Sequence, residues 1–223
     1  MTGASQWSCV LWDMDGTIID ASEGILQRLQ VTFDRLGKPA PTRDDLIDWI
    51  GPPMLESFQR NAELSVDEAH SAVEFYRSLH DLTDMGAGTR VYDGVVDLLS
   101  EVAAAGVPQA IASSKPESQV VPLAHAFDIS GDFVAMVGAT DDGVRRATKA
   151  DVVREALKRL EAAGADTSRP VLIGDRRHDV EGGAACGVPV IHVTWGFSHP
   201  HEGDGSIASA TTAAELRDLL LTA

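Results

Sequence analysis

Residues 7–17 read WSCVLWDMDGT, and the reading of this stretch decides the fold. Four apolar residues, Cys9, Val10, Leu11 and Trp12, run without alternation into Asp13, one spacer and Asp15, then Gly16 and Thr17. A short continuous apolar run reads as a strand buried on both faces. Its carboxyl end is where open α/β sheets bind ligands. Along an extended chain, residues two apart point the same way, so this spacing directs Asp13 and Asp15 at one spot. Two such carboxylates repel unless a cation offsets them, and Gly16 allows a sharp turn beside whatever is bound. Taken alone, the stretch fits an Asp-rich turn after a strand equally well. The rest of the chain has to decide.

The chain has 223 residues, 44% of them hydrophobic, which is enough for a packed core rather than disorder. Asp and Glu outnumber Lys and Arg by 34 to 18, a formal charge of −16, which argues against a nucleic-acid backbone binder. A small anionic substrate remains compatible, provided a metal or a few local cations hold it. Cys9 and Cys186 both lie in apolar contexts and read as free thiols. The N-terminus lacks the basic and long apolar regions of a signal peptide, and no apolar run approaches a membrane span. The expectation is a soluble cytoplasmic protein without membrane or nucleic-acid partners, a monomer or a homodimer.

Beyond Thr17 the periodicity turns helical. Apolar residues at Ile25, Leu26, Leu29, Phe33 and Leu36 predict a helix over 22–36, stopped by Gly37 and Pro39. Further helices are predicted over 44–50, up to about residue 60, and over 66–79, where Ser65 and Glu68 form a capping box. Residues 20–86 therefore read as all-helical, and Met85-Gly86-Ala87-Gly88 as a hinge or return linker. From Val91 the pattern alternates: strands over 107–112, 133–137, 171–173 and 188–193, with helices over 94–105, 117–127, 149–163, 179–186 and 213–221. Such alternation predicts an α/β fold with a mostly parallel sheet covered on both faces. The Gly/Ser/Ala/His-rich stretch 198–212 reads as a surface loop.

The strand ends collect a recognisable set. Asp13 and Asp15 follow the first strand, Ser113 the second, and Asp175 the fourth with Asp179 four residues on, while Lys149 opens a helix after the third. Individually, Ser113 and Asp175 are ordinary turn residues, Asp179 an N-cap and Lys149 a solvated lysine. Their joint order resembles the haloacid dehalogenase superfamily: DMDGT, Ser113 in IASSKP, Lys149 in RRATKADVV, and GDRRHD match its four motifs in sequence. GPPMLESF and GDRRHDVEGGAACGVPVIHVTWGF look like the phosphoglycolate phosphatase-like branch, which includes relatives acting on nucleoside monophosphates. The resemblance implies a Rossmann-like three-layer parallel sheet in the order 5-4-1-2-3. It also implies a core over 1–19 and 87–223, interrupted by an inserted helical cap over 20–86.

The roles follow from the same resemblance. Asp13 is implied as the nucleophile that takes the phosphoryl group, and Asp15 as general acid and then base. Mg²⁺, held by Asp13, the backbone carbonyl of Asp15 and Asp175, is the implied cofactor. Lys149 neutralises Asp13 and the transferring group. Ser113, with Ser114 and nearby N–H groups, holds a phosphate oxygen, and Asp179 orients the metal surroundings. Gly51 and Pro52, with Pro53, are the implied substrate-selecting positions. His178 reads as an exposed loop histidine beside Arg176 and Arg177. Arg146 pairs with an acid or a substrate anion, and Lys115 touches substrate or packs beside Pro116. His199 and His201 are not expected to bind metal. The four tryptophans are expected in the core or at contacts with the cap, and Trp195, after a strand end, could border the pocket. The expected activity is Mg²⁺-dependent hydrolysis of a small phosphorylated metabolite, phosphoglycolate-like or a nucleoside monophosphate. A phosphosugar mutase shares the motifs, but its relatives carry an apolar residue at the place of Thr17. Dehalogenases lack the acid found here as Asp15. A non-catalytic binding protein on the same scaffold is the third alternative.

Overall fold

Strand β1 (Cys9–Trp12) lies between two parallel neighbours, with all four residues at 0% exposure. The computed structural model describes residues 5–79, 88–142 and 145–222. On one side of β1 runs β4 (Gln109–Pro116) and then β5 (Ala135–Ala139); on the other run β6 (Pro170–Gly174) and β7 (Val190–Val193). The five expected strands thus stand in the expected order. Alternate residues of β1 feed two cores. Val10 and Trp12 join Val171 and Ile173 on one face, and Cys9 and Leu11 join Ala110, Ala112 and Leu172 on the other. Burial on both faces is why the run shows no polar alternation.

Three strands were not expected. A sixth, β8 (Ala208–Ala210), pairs parallel with β7 inside the stretch read as a surface loop. Three small residues at a sheet edge carry too little hydrophobic pattern to reveal a strand. A two-residue ribbon, β2 (Ile19–Asp20) against β3 (Arg90–Val91), forms where the chain enters and leaves the helical segment. Its Asp20 and Arg90 are 3.1 Å apart. Strands β4, β5 and β7 each begin two residues later than the apolar runs predict. Pro108 and Pro189 cannot donate to a ladder, although their carbonyls accept from Val10 and Leu172 at 3.0 and 2.9 Å.

The helical segment comprises α1 (Ser22–Leu36), α2 (Arg43–Ile47), α3 (Met54–Asn61) and α4 (Val66–Ser78). The capping box at Ser65 and Glu68 is present, as is one at Thr42 and Asp45. Helix α2 stops at Ile47 rather than Ile50, because Trp49 and Ile50 donate to Leu46 and Ile47 in tighter i to i+3 bonds. Phe33, Trp49 and Phe58 pack edge-to-face at centroid distances of 5.5 and 5.0 Å. This cluster is continuous with the sheet face carrying Val10 and Trp12. The other helices are α5 (Val95–Ala104), α6 (Glu117–Ala126), α7 (Lys149–Ala162), α8 (Arg177–Ala184) and α9 (Ala213–Leu221). Residues 85–87 of the expected linker lie outside the described residues. Cys9 and Cys186 are free, Cys9 buried and Cys186 only partly so.

Candidate active site

Asp13 leaves β1 tied to its neighbour strand, its N–H donating to Ile173 O at 2.9 Å. The chain then abandons strand geometry. The N–H groups of Ile18 and Ile19 both turn back to Met14 O at 2.9 Å, with Gly16 at φ +84°. That turn overrides the two-residue alternation, so Asp13 and Asp15 meet different cations. Lys149 Nζ lies 2.7 Å from Asp13 Oδ1, and Lys115 Nζ lies 2.9 Å from Asp15 Oδ2.

Lys149, the first residue of α7, also lies 2.6 Å from Asp179 Oδ1. The other Asp179 oxygen accepts from Arg176 N–H at 3.0 Å, so Asp179 works three residues inside α8 instead of opening it. Asp175 follows β6 at 0% exposure, one oxygen accepting from Phe197 N–H at 2.7 Å and the other without a hydrogen-bond partner. Ligand oxygens of Asp13, Asp175 and Asp179 all lie within 4.8 Å of one another. Burial pushes the Asp13 carboxyl above the usual range, with Lys149 opposing and Asp179 adding to the rise. Burial, then Asp179 and Asp13, pushes Asp175 well above it. Burial works against the Lys149 charge, but Asp13 and Asp179 outweigh it and hold its pKa high.

Three buried carboxylates facing one ammonium leave negative charge uncompensated, and unpaired charge in a low-dielectric site is costly. Hard carboxylate oxygens at this spacing, one of them an orphan, fit a hard divalent cation. The backbone is drawn in tightly around them. A Cβ on Gly16 would lie 2.1 Å from Asp175 Oδ2, and one on Gly196 would lie 2.1 Å from Gly16 O.

Beside this group is a cavity of about 60 Å³. The sheet side supplies Asp15, Ser114 and Lys115; the helical segment supplies Gly51, Pro52 and Arg77. Ser113, 1% exposed in the irregular end of β4, accepts from Lys115 N–H at 3.2 Å. Asp13, Asp175, Asp179 and Lys149 thus meet in one group, Asp15, Ser114, Gly51 and Pro52 line the cavity, and Ser113 is tied to the backbone of Lys115 in its wall.

Three residues carry more weight than their sequence suggested. Lys115 is the partner of Asp15. Arg176, taken as exposed, is 4% exposed and donates to Ile50 O at 2.9 Å. Arg77 reaches the cavity from α4 and donates to Asp141 O. Elsewhere Arg146 pairs with Glu117 at 2.9 Å, and Trp195 Nε1 donates to Thr17 O at 3.1 Å. His178 lies half-buried in the first turn of α8, and His199 pairs with Asp48.

Comparison with known proteins agrees with this geometry. The tyrosine-protein kinase PtkA of Mycobacterium tuberculosis is 34% identical over 216 residues, covering 95% of this chain and 72% of that protein. A 5′-nucleotidase of Pseudomonas aeruginosa is 33% identical over 199 residues, covering 89% and 88%. The crystal structure of a predicted phosphatase from Clostridium acetobutylicum superposes with a TM-score of 0.87 at 30% identity, covering 95% and 97%. The family model described as haloacid dehalogenase-like hydrolase matches residues 10–193. With its motif residues gathered at the carboxyl ends of β1, β4 and β6, the chain belongs to the haloacid dehalogenase-like hydrolases.

Proposed function

We propose that the protein is a Mg²⁺-dependent phosphatase that hydrolyses a small phosphorylated metabolite through an aspartyl-phosphate on Asp13. The observation that carries this reading is the separation of the two acids: Asp13 is paired with Lys149, and Asp15 with Lys115 at the cavity wall. In this reading residues 20–86 are the cap, and residues 1–19 and 87–223 the core.

Asp13 attacks phosphorus as the carboxylate, and the Lys149 ammonium opposes the burial that favours its protonated form. Asp15 gives a proton to the leaving alkoxide and then takes one from water. Ser113 and Ser114 hold a phosphoryl oxygen, chiefly a positioning role. Asp13, Asp175 and the backbone carbonyl of Asp15 would hold Mg²⁺, which would offset the charge of a phosphate approaching an acidic site. Asp179 fixes Lys149 from its far side. The small cavity favours a short leaving group.

A second reading has support in the 34% identity to a tyrosine kinase: phosphoryl transfer from a nucleotide to tyrosine. One assay separates the two. Purified protein is given a panel of phosphate esters, then ATP with a tyrosine peptide, each with Mg²⁺ and with a chelator. The phosphatase reading expects metal-dependent phosphate release from at least one short ester. It is sunk by no turnover of any ester, including an aryl phosphate. Phosphotyrosine formation without ester hydrolysis installs the kinase, and isomerisation of a hexose phosphate without phosphate release installs a mutase.

A further inference from the structure

Arg176 follows Asp175 directly, yet its side chain leaves the acidic cluster and enters the helical segment. One guanidinium nitrogen donates to Ile50 O at 2.9 Å and also reaches Ile47 O at 3.5 Å. Ile47 ends α2, and the last carbonyls of a helix have no partner within it. A cation there also meets the negative end of the backbone dipoles. The other face of the guanidinium is neutralised by Glu202, 2.8 Å from Nε with its own side chain only 13% exposed. The charge is thus already compensated, so Arg176 is not held in reserve for a substrate phosphate. Next to Ile50, Gly51 takes φ +104° and lies flat on the stem of Arg176, where a Cβ would stand 2.8 Å from Cγ.

The backbone of Arg176 leads the other way. Its N–H is held by Asp179 at 3.0 Å, Asp179 holds Lys149 at 2.6 Å, and Lys149 holds Asp13 at 2.7 Å. One residue therefore joins the turn that carries Gly51 and Pro52 to the group around Asp13. Nη1 faces the carbonyls while Nε faces the carboxylate, so the contacts use two separated nitrogens of a rigid fork, which a compact ammonium at the end of a flexible stem does not reproduce.

We propose that Arg176 is a positioning residue that seats the Ile50-Gly51-Pro52 turn over the catalytic carboxylates and thereby sets substrate selection. Its kinetic consequence rests on the phosphatase reading above; its structural consequence does not.

The test uses the full chain as Arg176→Met, Arg176→Lys and, as a neighbouring control, Arg177→Met. Hydrogen exchange followed by mass spectrometry reads the seat directly. Amides of the segment holding Trp49, Ile50 and Gly51 are expected to exchange about tenfold faster in both Arg176 variants, while those of β1 keep their protection. In the kinetic arm, kcat/KM for the best short metabolite ester is compared with that for p-nitrophenyl phosphate. The ratio is expected to fall about tenfold, mainly through KM, with Arg177→Met unchanged. Arg176→Lys keeps the charge and stem and so guards against simple misfolding; it is expected not to rescue either readout. Unchanged exchange around Ile50, full rescue by lysine, or equal loss on both esters overturns the proposal. Absence of any ester turnover by the unmodified protein sinks the phosphatase reading, and the exchange arm still decides the seat.

Discussion

The Lys115 ammonium lies 2.9 Å from the Asp15 carboxylate, with side chains 7% and 11% exposed, while Asp13 is held by a different lysine. Screening is weak in such a setting, and the pair fixes where Asp15 points. If Asp15 delivers the leaving-group proton, its removal matters most when the leaving group is a poor one. Asp15→Asn is expected to lower kcat about 10²–10³-fold on an alkyl phosphate and clearly less on p-nitrophenyl phosphate, whose leaving group needs no proton. Lys115→Met is expected to follow the same pattern with smaller losses. Equal losses on both esters would remove Asp15 from the acid role.

Asp175 gives a prediction about stability. Its carboxyl, and that of Asp13, have pKa values raised in the folded chain, first by burial. A raised acid binds its proton more tightly when folded. These two groups therefore favour folding at low pH, and that contribution is lost as pH rises from about 3.9 through their raised values. At neutral pH without metal they oppose folding. Asp175→Asn keeps an oxygen for Phe197 N–H and removes the charge. It is expected to raise the metal-free Tm at pH 7 by a few degrees, at roughly 2–4 °C per kcal/mol, while abolishing turnover. Mg²⁺ is expected to raise the Tm of the unmodified protein and not that of the variant. Scanning fluorimetry with Mg²⁺ and with a chelator reads both; a lower metal-free Tm for the variant refutes the argument.

Arg77 provides a test of selection. Its guanidinium borders the cavity and donates to Asp141 O, and burial depresses its pKa with Asp141, Tyr76 and Asp142 opposing. A half-buried guanidinium on the cavity wall suits a substrate carrying a second negative group. Arg77→Met is expected to raise KM about tenfold or more for a carboxylate-bearing ester, with a distinctly smaller change for an uncharged leaving group. Identical changes for the two classes would exclude this role.

What could be read in advance follows from how each feature is encoded. Asp13, Ser113, Lys149 and Asp175 are local: each sits at the end of an apolar run or the start of a helix, and parallel topology brings such ends together. The pairs Lys115 with Asp15, and Arg176 with Ile50 and Glu202, depend on side-chain reach between segments far apart in sequence. No periodicity records that. Arg176 stands in a polar run, Arg-Arg-His, which looks solvated until the helical segment is laid over it. The turn after β1 misled for a related reason. Strand alternation does not extend past Asp13, because Met14 O gathers the turning N–H groups of Thr17, Ile18 and Ile19.

Gly16 closes the site more tightly than its role in that turn requires. At φ +84° any other residue is strained, and here the added atom has nowhere to go, since it would meet Asp175 Oδ2 at 2.1 Å. Asp175 cannot retreat readily, because its own oxygen is held by Phe197 N–H and Gly196 packs against Gly16 O. Gly16→Ala therefore has to displace a carboxylate that the proposed metal site needs. The backbone strain alone costs on the order of 1–3 kcal/mol. The variant is expected to lose several degrees in Tm and its Mg²⁺-dependent stabilisation together, with activity below about 1% at saturating Mg²⁺. Titration of Tm against Mg²⁺ separates the two effects. A variant that is destabilised yet still gains the full Mg²⁺ shift would show that Gly16 serves the turn and not the carboxylate site.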